Sequence, residues 1–440
     1  MKHLITISLI LLTLLTLLAL PVPVHASPLI WGDEWQLTYD PVAEESTWDP
    51  GLHKNITTIY PVPDFDGLPT IAQAQNGGIW LVWQSDVTGN EQIFYKINTG
   101  PWTNDTQLTN NAYNDIAPSI IQASDGKIWV AWSSNRTGLY DIYYKTTSNY
   151  GLTWSLETQA VSNPNDDNSP ALLQANDGKI WLAWARSINS TNQELFYQTF
   201  NGASWSGETQ LTNNPNLDQM PALMQTSDGK IWVFWNRLAP VPDPTNPHFE
   251  ILYKTFDGST WSSETQLTND TKIDNVDPTV FQAKDGTIWL FWAAKPQGTN
   301  AAFDLWFKTS VNNGATWSAS TQFTTDPADD MWPTAMQPTD KSIWVVWTSM
   351  RPDPVYNVDN VDLYYKTTLL GDITGPSGVP DGSIDIYDLA AIARAAGTDP
   401  IHFPTGTGWN EWNPNADLNV DNVVNVLDLF IAGKNYGRTA

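Results

Sequence analysis

The chain has 440 residues, 41% of them hydrophobic, with 24 Trp, no Cys and a formal charge of −26. So much apolar and aromatic material fills a large core and excludes a disordered chain, and the acidic balance argues against nucleic acid or an anionic membrane as partner. Calcium and neutral or cationic surfaces stay open, and something other than a disulfide must staple the fold.

At the start, Lys2 and His3 precede an apolar run from Leu4 to Leu20 and then Val24-His25-Ala26. A charged start, a hydrophobic region and a small-residue cleavage site make residues 1–26 an expected signal peptide and the mature protein secreted or extracellular, with an uncleaved anchor as the alternative. No later stretch can span a membrane. Sequons at Asn55, Asn104, Asn135, Asn189 and Asn269 fit an exported surface in a glycosylating host.

From Pro69 a frame recurs at Pro118, Pro170, Pro221, Pro278 and Pro333: Pro, two or three apolar residues, Gln, a turn, then Ile-Trp-x-x-Trp. Spacings of 49 to 57 residues indicate a propeller or solenoid. The Asp-Gly at Asp125-Gly126, Asp177-Gly178, Asp228-Gly229 and Asp285-Gly286 supplies the positive φ of a two-residue hairpin turn. The following strand, as in Ile180-Trp-Leu-Ala-Trp184, is apolar on both alternating faces and should be buried on both. A third strand (Asp141-Ile-Tyr-Tyr-Lys145) and a fourth (Trp205-Ser-Gly-Glu-Thr-Gln-Leu-Thr212) complete the repeat. The sixth copy lacks its fourth strand, and Trp31-Gly-Asp-Glu-Trp-Gln-Leu-Thr38 supplies it. Residues 27–370 therefore read as an all-β, six-bladed β-propeller whose N-terminal strand closes the last blade and removes the free edges.

Between third and fourth strands lie Thr147-Ser-Asn-Tyr-Gly-Leu-Thr-Trp154 and Ser310-Val-Asn-Asn-Gly-Ala-Thr-Trp317, with shortened forms at Asn201-Gly-Ala-Ser-Trp205 and Asp257-Gly-Ser-Thr-Trp261. These fit the Asp-box pattern, and residues 31 to 368 resemble the BNR-repeat, sialidase-like propeller superfamily. The resemblance implies a fold far more than an activity. Sialidases of that kind need three arginines, a Tyr-Glu pair and an Asp acid, with the first arginine in a Phe/Tyr-Arg-Ile-Pro segment, whereas no Arg precedes Arg136. Arg136, Arg186, Arg237 and Arg351 follow the Ile-Trp-x-x-Trp motif by two or four residues in four blades, which is repeat-like placement.

Asp66, Asp115, Asp167, Asp218 and Asp330, each three residues before the blade-opening Pro, share one register, with Asn275 in the odd blade. They read as strand caps or as a ring able to hold a cation. From fourth-strand Gln to the next Pro takes 11 residues in four cases and 12 from Gln266, but 33 from Gln36 to Pro69. Second-to-third-strand loops are long in blades four and six. Both loop sets leave an up-and-down blade on one face, so the ligand face is expected there. Its candidates are the four arginines, the five aspartates and Trp332, with Trp48, Tyr60, His248 and Tyr356 as further aromatic contacts.

Residues 371–440 change character. Asp417, Asn419, Asp421, Asn425 and Asp428 stand at positions 1, 3, 5, 9 and 12 of an EF-hand calcium loop, with the Val423 carbonyl at 7. Asp372, Thr374, Asp381, Ser383 (carbonyl), Asp385 and Asp388 form a similar set interrupted by residues 376–380. Two such loops, each followed by a short helical stretch ending in Gly, resemble a type I dockerin: a small α-helical, EF-hand-like domain holding two Ca²⁺. The resemblance implies a cohesin-bearing partner met by Ile386, Tyr387, Arg394, Val426, Leu427 and Lys434. The chain thus reads as an exported protein whose propeller binds a glycan or surface polymer and whose dockerin docks to a cohesin scaffold. The alternatives are a glycoside hydrolase or lyase of polysaccharide catabolism on the same propeller, or an assembly module with no ligand of its own.

Overall fold

In a computed structural model of the chain, the described residues are 31, 34–38, 64–239, 247–270, 272–352 and 360–368, the backbone of the strands Val42–Asp49 and Lys54–Pro61, and residues 389, 424 and 432. Residues 33–367 form one compact unit. The expected signal peptide and nearly all of the 371–440 segment, including every expected calcium and cohesin residue, lie outside the described residues, as does Tyr356. Among the described residues no helix is long and apolar enough to cross a membrane.

The compact unit contains six four-stranded antiparallel sheets. Blade one, for example, is Asp66–Gln73, Ile79–Ser85, Gln92–Asn98 and Thr106–Gln107. First strands pack against those of both neighbouring blades, and Asp330–Met336 of blade six returns against Asp66–Gln73 of blade one. This is a closed six-bladed β-propeller. Trp35 and Gln36 pair with Tyr365 and Tyr364 as the fourth strand of blade six. Leu37 N–H donates to Leu363 O at 2.6 Å, and the Thr38 hydroxyl accepts from Leu363 N–H at 2.9 Å. The same Thr-to-backbone bond recurs within other blades, as at Thr212 and Leu195 (2.9 Å), which explains the repeated Gln-Leu-Thr.

Second strands such as Ile79–Ser85 and Ile128–Ser134 are buried along their whole length. The second Trp of each Ile-Trp-x-x-Trp is at most 1% exposed in all six blades. The first Trp packs on the third-strand Tyr of its own blade, Phe307 in blade five (Trp80–Tyr95 5.2 Å, Trp181–Tyr197 5.1 Å, Trp289–Phe307 5.4 Å). The Trp ending the next blade's Asp-box stretch then meets it edge-on, as Trp154 does with Trp80 at 6.1 Å. In the box itself, Gly151 N–H donates to Thr147 Oγ1 (3.1 Å) and Thr153 N–H to Asn149 Oδ1 (3.0 Å), and Ser310, Asn312, Gly314 and Thr316 repeat this.

The Asp-Gly turns differ from the expected two-residue form. Residues 124–126 make a three-residue loop: Ala123 N–H bonds Lys127 O, Gly126 N–H bonds Ala123 O at 2.9 Å, and Gly126 has φ +86°. A three-residue hairpin loop wants a left-handed residue last, so Gly is still required. These turns also link the ring. The repeated Gln accepts, through Oε1, a backbone N–H from the preceding blade's turn: Ser124 to Gln174 (2.6 Å), Asn176 to Gln225 (2.7 Å), Ser227 to Gln282 (2.7 Å), Lys284 to Gln337 (2.8 Å) and Thr339 to Gln73 (2.8 Å). Gln75 to Gln122 completes the circle.

The 33-residue segment before Pro69 carries a further two-stranded sheet, Val42–Asp49 with Lys54–Pro61. Trp48 and Tyr60 belong to it, but their side chains are outside the described set. In blade four much of the expected loop is strand, because Ile231–Ala239 pairs with His248–Phe256 up to Ala239 and His248.

Candidate functional site

Each first strand begins with a β-bulge just before the blade-opening Pro. The residue before that Pro is left-handed in every blade: Leu68, Ala117, Ser169, Met220, Asp277 and Trp332 have φ between 46° and 57°. A non-Gly residue there is strained, and a following Pro disfavours the region further. The bulge re-aims these six side chains, and together they ring a neck of about 110 Å³ with the Pro residues. Above it opens a cup of about 510 Å³ on the face carrying the second-to-third and fourth-to-first connections.

Apolar groups of the cup come from Met220, Phe249, Phe303 and Trp332, and polar ones from Gln193, Gln219, Asn168, Asn236 and Asp277. Several are held in place. Gln84 Oε1 accepts Ala117 N–H at 2.8 Å, Asn236 Oδ1 accepts Asp277 N–H at 3.2 Å, and Gln219 Nε2 bonds Gln193 Oε1. Trp332 lies edge-on to Phe65 at 6.0 Å.

Asp277 is the one carboxylate among the six neck positions. The residue as a whole is half-buried, yet its Oδ2 is shut off from solvent with no protein hydrogen-bond partner. Loss of hydration pushes this carboxyl up to about 7, against an opposing hydrogen bond from the Trp332 backbone N–H. On the rim, Glu91 is likewise pushed up to about 7 by burial and by Asp86, opposed by its bond from Gln84.

Among the described residues, Trp332 is the one member of the expected ligand-face set that lines the cup. The four arginines are placed elsewhere, in ion triads within their own blades. Arg186 donates to Asp167 (2.7 and 3.2 Å) and Glu208 (2.8 Å), and Arg237 to Asp218 (2.6 and 2.9 Å) and Glu264 (2.6 Å). Arg136 joins Asp115 and Glu157, while Arg351 joins Asp330 (3.3 Å) and Glu34 (2.7 Å) with Asp326 (3.3 Å) as a fourth member. Each triad ties the first strand to the fourth. The guanidinium lies over a ring, as Arg136 does on Tyr143 (4.0 Å) and Arg186 on Phe196 (4.4 Å).

The aspartates are 0–5% exposed, and several also accept the indole N–H of the second Trp: Trp83 to Asp66 (2.9 Å), Trp184 to Asp167 (2.7 Å) and Trp235 to Asp218 (2.9 Å). Asp66, which has no Arg in its blade, is pushed up to about 6 by burial. Among the described residues no group of three or more His, Cys, Asp or Glu could hold a metal ion. His248 is 4% exposed and bonded to Glu250 at 3.0 Å, away from the cup lining. Asp277, Leu68, Ala117, Ser169 and Met220 escaped the sequence reading, which had picked only Trp332 of the six, although a signal was present: six different side chains occupy one position of an otherwise regular frame.

Neither a protein-family model nor a curated protein matches this sequence. Solved structures do match in fold. A protein of unknown function from Dyadobacter fermentans aligns with TM-score 0.56 and 13% identity over 70% of this chain and 98% of that one. An α-L-arabinanase from Penicillium chrysogenum complexed with arabinobiose aligns with TM-score 0.51 and 15% identity (68% and 92%). The NanB sialidase of Streptococcus pneumoniae aligns with TM-score 0.51 and 11% identity (69% and 68%). The chain is a six-bladed β-propeller with sialidase-like and arabinanase-like structural neighbours.

Proposed function

We propose that this is an exported protein whose propeller binds a glycan or surface polymer in the cup, and whose 371–440 segment is a calcium-binding dockerin that docks to a cohesin-bearing partner. The observation that carries the first half is the cup itself: about 510 Å³, with Trp332, Phe249 and Phe303 beside pre-positioned amides. Aromatic faces with fixed amide donors and acceptors suit a sugar's C–H faces and hydroxyls. The loop spacing of the two acidic repeats supports the second half, with calcium at Asp417, Asn419, Asp421, Asn425 and Asp428 and at the matching upstream set.

Binding is favoured over sialidase chemistry because the arginines that could hold a sugar carboxylate are committed to triads. One observation supports a hydrolase as second reading: the Asp277 carboxyl faces the cup with its charged form disfavoured, as a proton donor requires. Hydrolysis needs a second carboxylate across the gap. A glycan array run with a hydrolysis screen on arabinan and sialosides tests both. Trp332→Ala should abolish array binding, and Asp277→Asn should abolish any turnover. Absence of both binding and turnover would leave an assembly module.

A further inference from the structure

We propose that blade five carries a second, lateral pocket that binds a single neutral sugar ring. The space is the one that the ion triad fills elsewhere. Asp167 faces Arg186 in blade three and Asp218 faces Arg237 in blade four, whereas in blade five the same register pairs Asn275 with Ala294. Ser320 stands where Glu208 and Glu264 supply the third member. Three separate parts of the chain have thus lost the triad together, and Trp306, where blades three and four have Phe196 and Leu252, refills only part of the space.

Blade one also lacks the arginine, but there Lys96 occupies the space: it is 4% exposed, with Nζ 5.3 Å from the Trp83 ring and 3.2 Å from Asp105. The corresponding Lys308 of blade five instead bonds Ser318 O at 3.1 Å. A cavity of about 210 Å³ remains, walled by Trp292, Trp306, Ile273 and Ala294, with Asn275, Asp270 and Ser320 as its polar lining. A buried space of about 150 Å³ already admits a benzene ring.

The lining chemistry selects the ligand. The half-buried Trp306 indole offers an apolar face, while Trp292, 1% exposed, closes the wall with its N–H already spent on Asn275 Oδ1 at 2.8 Å. Asp270 and Ser320 can meet ring hydroxyls, and no lining side chain is cationic, so an acidic sugar finds no counter-charge. The pocket is separate from the cup. Along the strand Ile273–Gln282, Asp274 and Val276 line the cup while Ile273 and Asn275 line the lateral pocket, as strand alternation requires. The proposal therefore stands whether or not the cup binds a polymer.

The test titrates the full chain with glucose, galactose, xylose and arabinose, followed by tryptophan fluorescence and calorimetry. A saturable response to at least one sugar is expected. Restoring the triad with Asn275→Asp, Ala294→Arg and Ser320→Glu should lower its affinity at least tenfold, as should Trp306→Ala alone, while Trp332→Ala should leave it in place. If the restored triad does not fold, Trp306→Ala decides. No saturable response to any of the four sugars, or equal affinity in wild type and Trp306→Ala, overturns the proposal.

Discussion

Consider Asp218→Ala. The Asp218 carboxylate is 0% exposed and accepts four bonds: Trp235 Nε1 at 2.9 Å, Arg237 Nε at 2.6 Å and Nη2 at 2.9 Å, and Asn214 Nδ2 at 2.6 Å. Its removal strands a guanidinium whose side chain is only 11% exposed and leaves it Glu264 alone. Breaking a buried pair from one side costs about 3–5 kcal/mol, a large share of the roughly 5–15 kcal/mol that holds a folded domain. Blade five shows the neutral alternative. Asn275 keeps the indole bond, Ala294 removes the cation and Ser320 the second anion. The triple variant Asp218→Asn, Arg237→Ala, Glu264→Ser copies that solution, leaves no unpaired charge, and should lose roughly 2 kcal/mol or less. Urea unfolding followed by tryptophan emission measures both variants. A triple variant as unstable as Asp218→Ala, or an Asp218→Ala indistinguishable from wild type, would refute the reasoning.

Deleting residues 27–39 removes the strand paired to Tyr364 and Tyr365 and should lower both melting temperature and solubility sharply, as read by calorimetry and light scattering. Gly314→Ala places a Cβ 2.3 Å from Trp232 Cη2 at φ +76° and should cost about 1–3 kcal/mol or more, whereas Gly207→Ala, with nothing within 4 Å, should be near neutral in the same unfolding assay. For Asp277, a folded-state value raised from 3.8 to about 7 means the folded protein holds this proton more tightly than the unfolded chain. Its stabilising contribution is full below about pH 4 and is lost as pH rises through 7. Asp277→Asn should therefore be more stable than wild type at pH 8 and flatten the profile between pH 4 and 7, and an unchanged profile would refute the assignment. The isolated 371–440 segment should gain helix by circular dichroism on adding calcium and lose it to a chelator, with the response weakened in Asp428→Ala. No calcium response in the wild-type segment would sink the dockerin reading.

The propeller was legible because each repeated residue answers a demand that recurs in every blade. The Gln latches to the previous blade's turn, the first Trp stacks on a third-strand ring, and the Thr of Gln-Leu-Thr accepts a neighbouring N–H. Six identical demands leave six near-identical answers, and the orphan fragment at Trp35 and Gln36 could be matched to the blade that lacked it. The triads were not legible. Each arginine's glutamate partner lies 21 to 27 residues away in blades two to four and near the other end of the chain in blade six, so spacing could not pair Arg351 with Glu34. Unpaired on the page, the arginines read as free cations on the variable-loop face. The turn length was missed for a different reason: Asp-Gly serves two-residue and three-residue loops alike, and only the Ala123 to Lys127 bond distinguishes them.

Departures from the frame are a better guide to function than the residues the frame repeats. The bulge before each Pro imposes a left-handed backbone on six residues, and a strained non-Gly conformation of this kind costs on the order of 1 kcal/mol or more whatever side chain is present. Blade geometry imposes that cost on all six alike, so it cannot explain why Leu68, Ala117, Ser169, Met220, Asp277 and Trp332 differ. Local packing accounts for part of it, since Trp332 lies edge-on to Phe65 and Ala117 is buried, but all six also line the neck. Under the proposed function, a ligand entering the cup would set the identity of those that line it. Blade five repeats this logic at its edge, where three positions abandon the triad in concert and leave a pocket in its place.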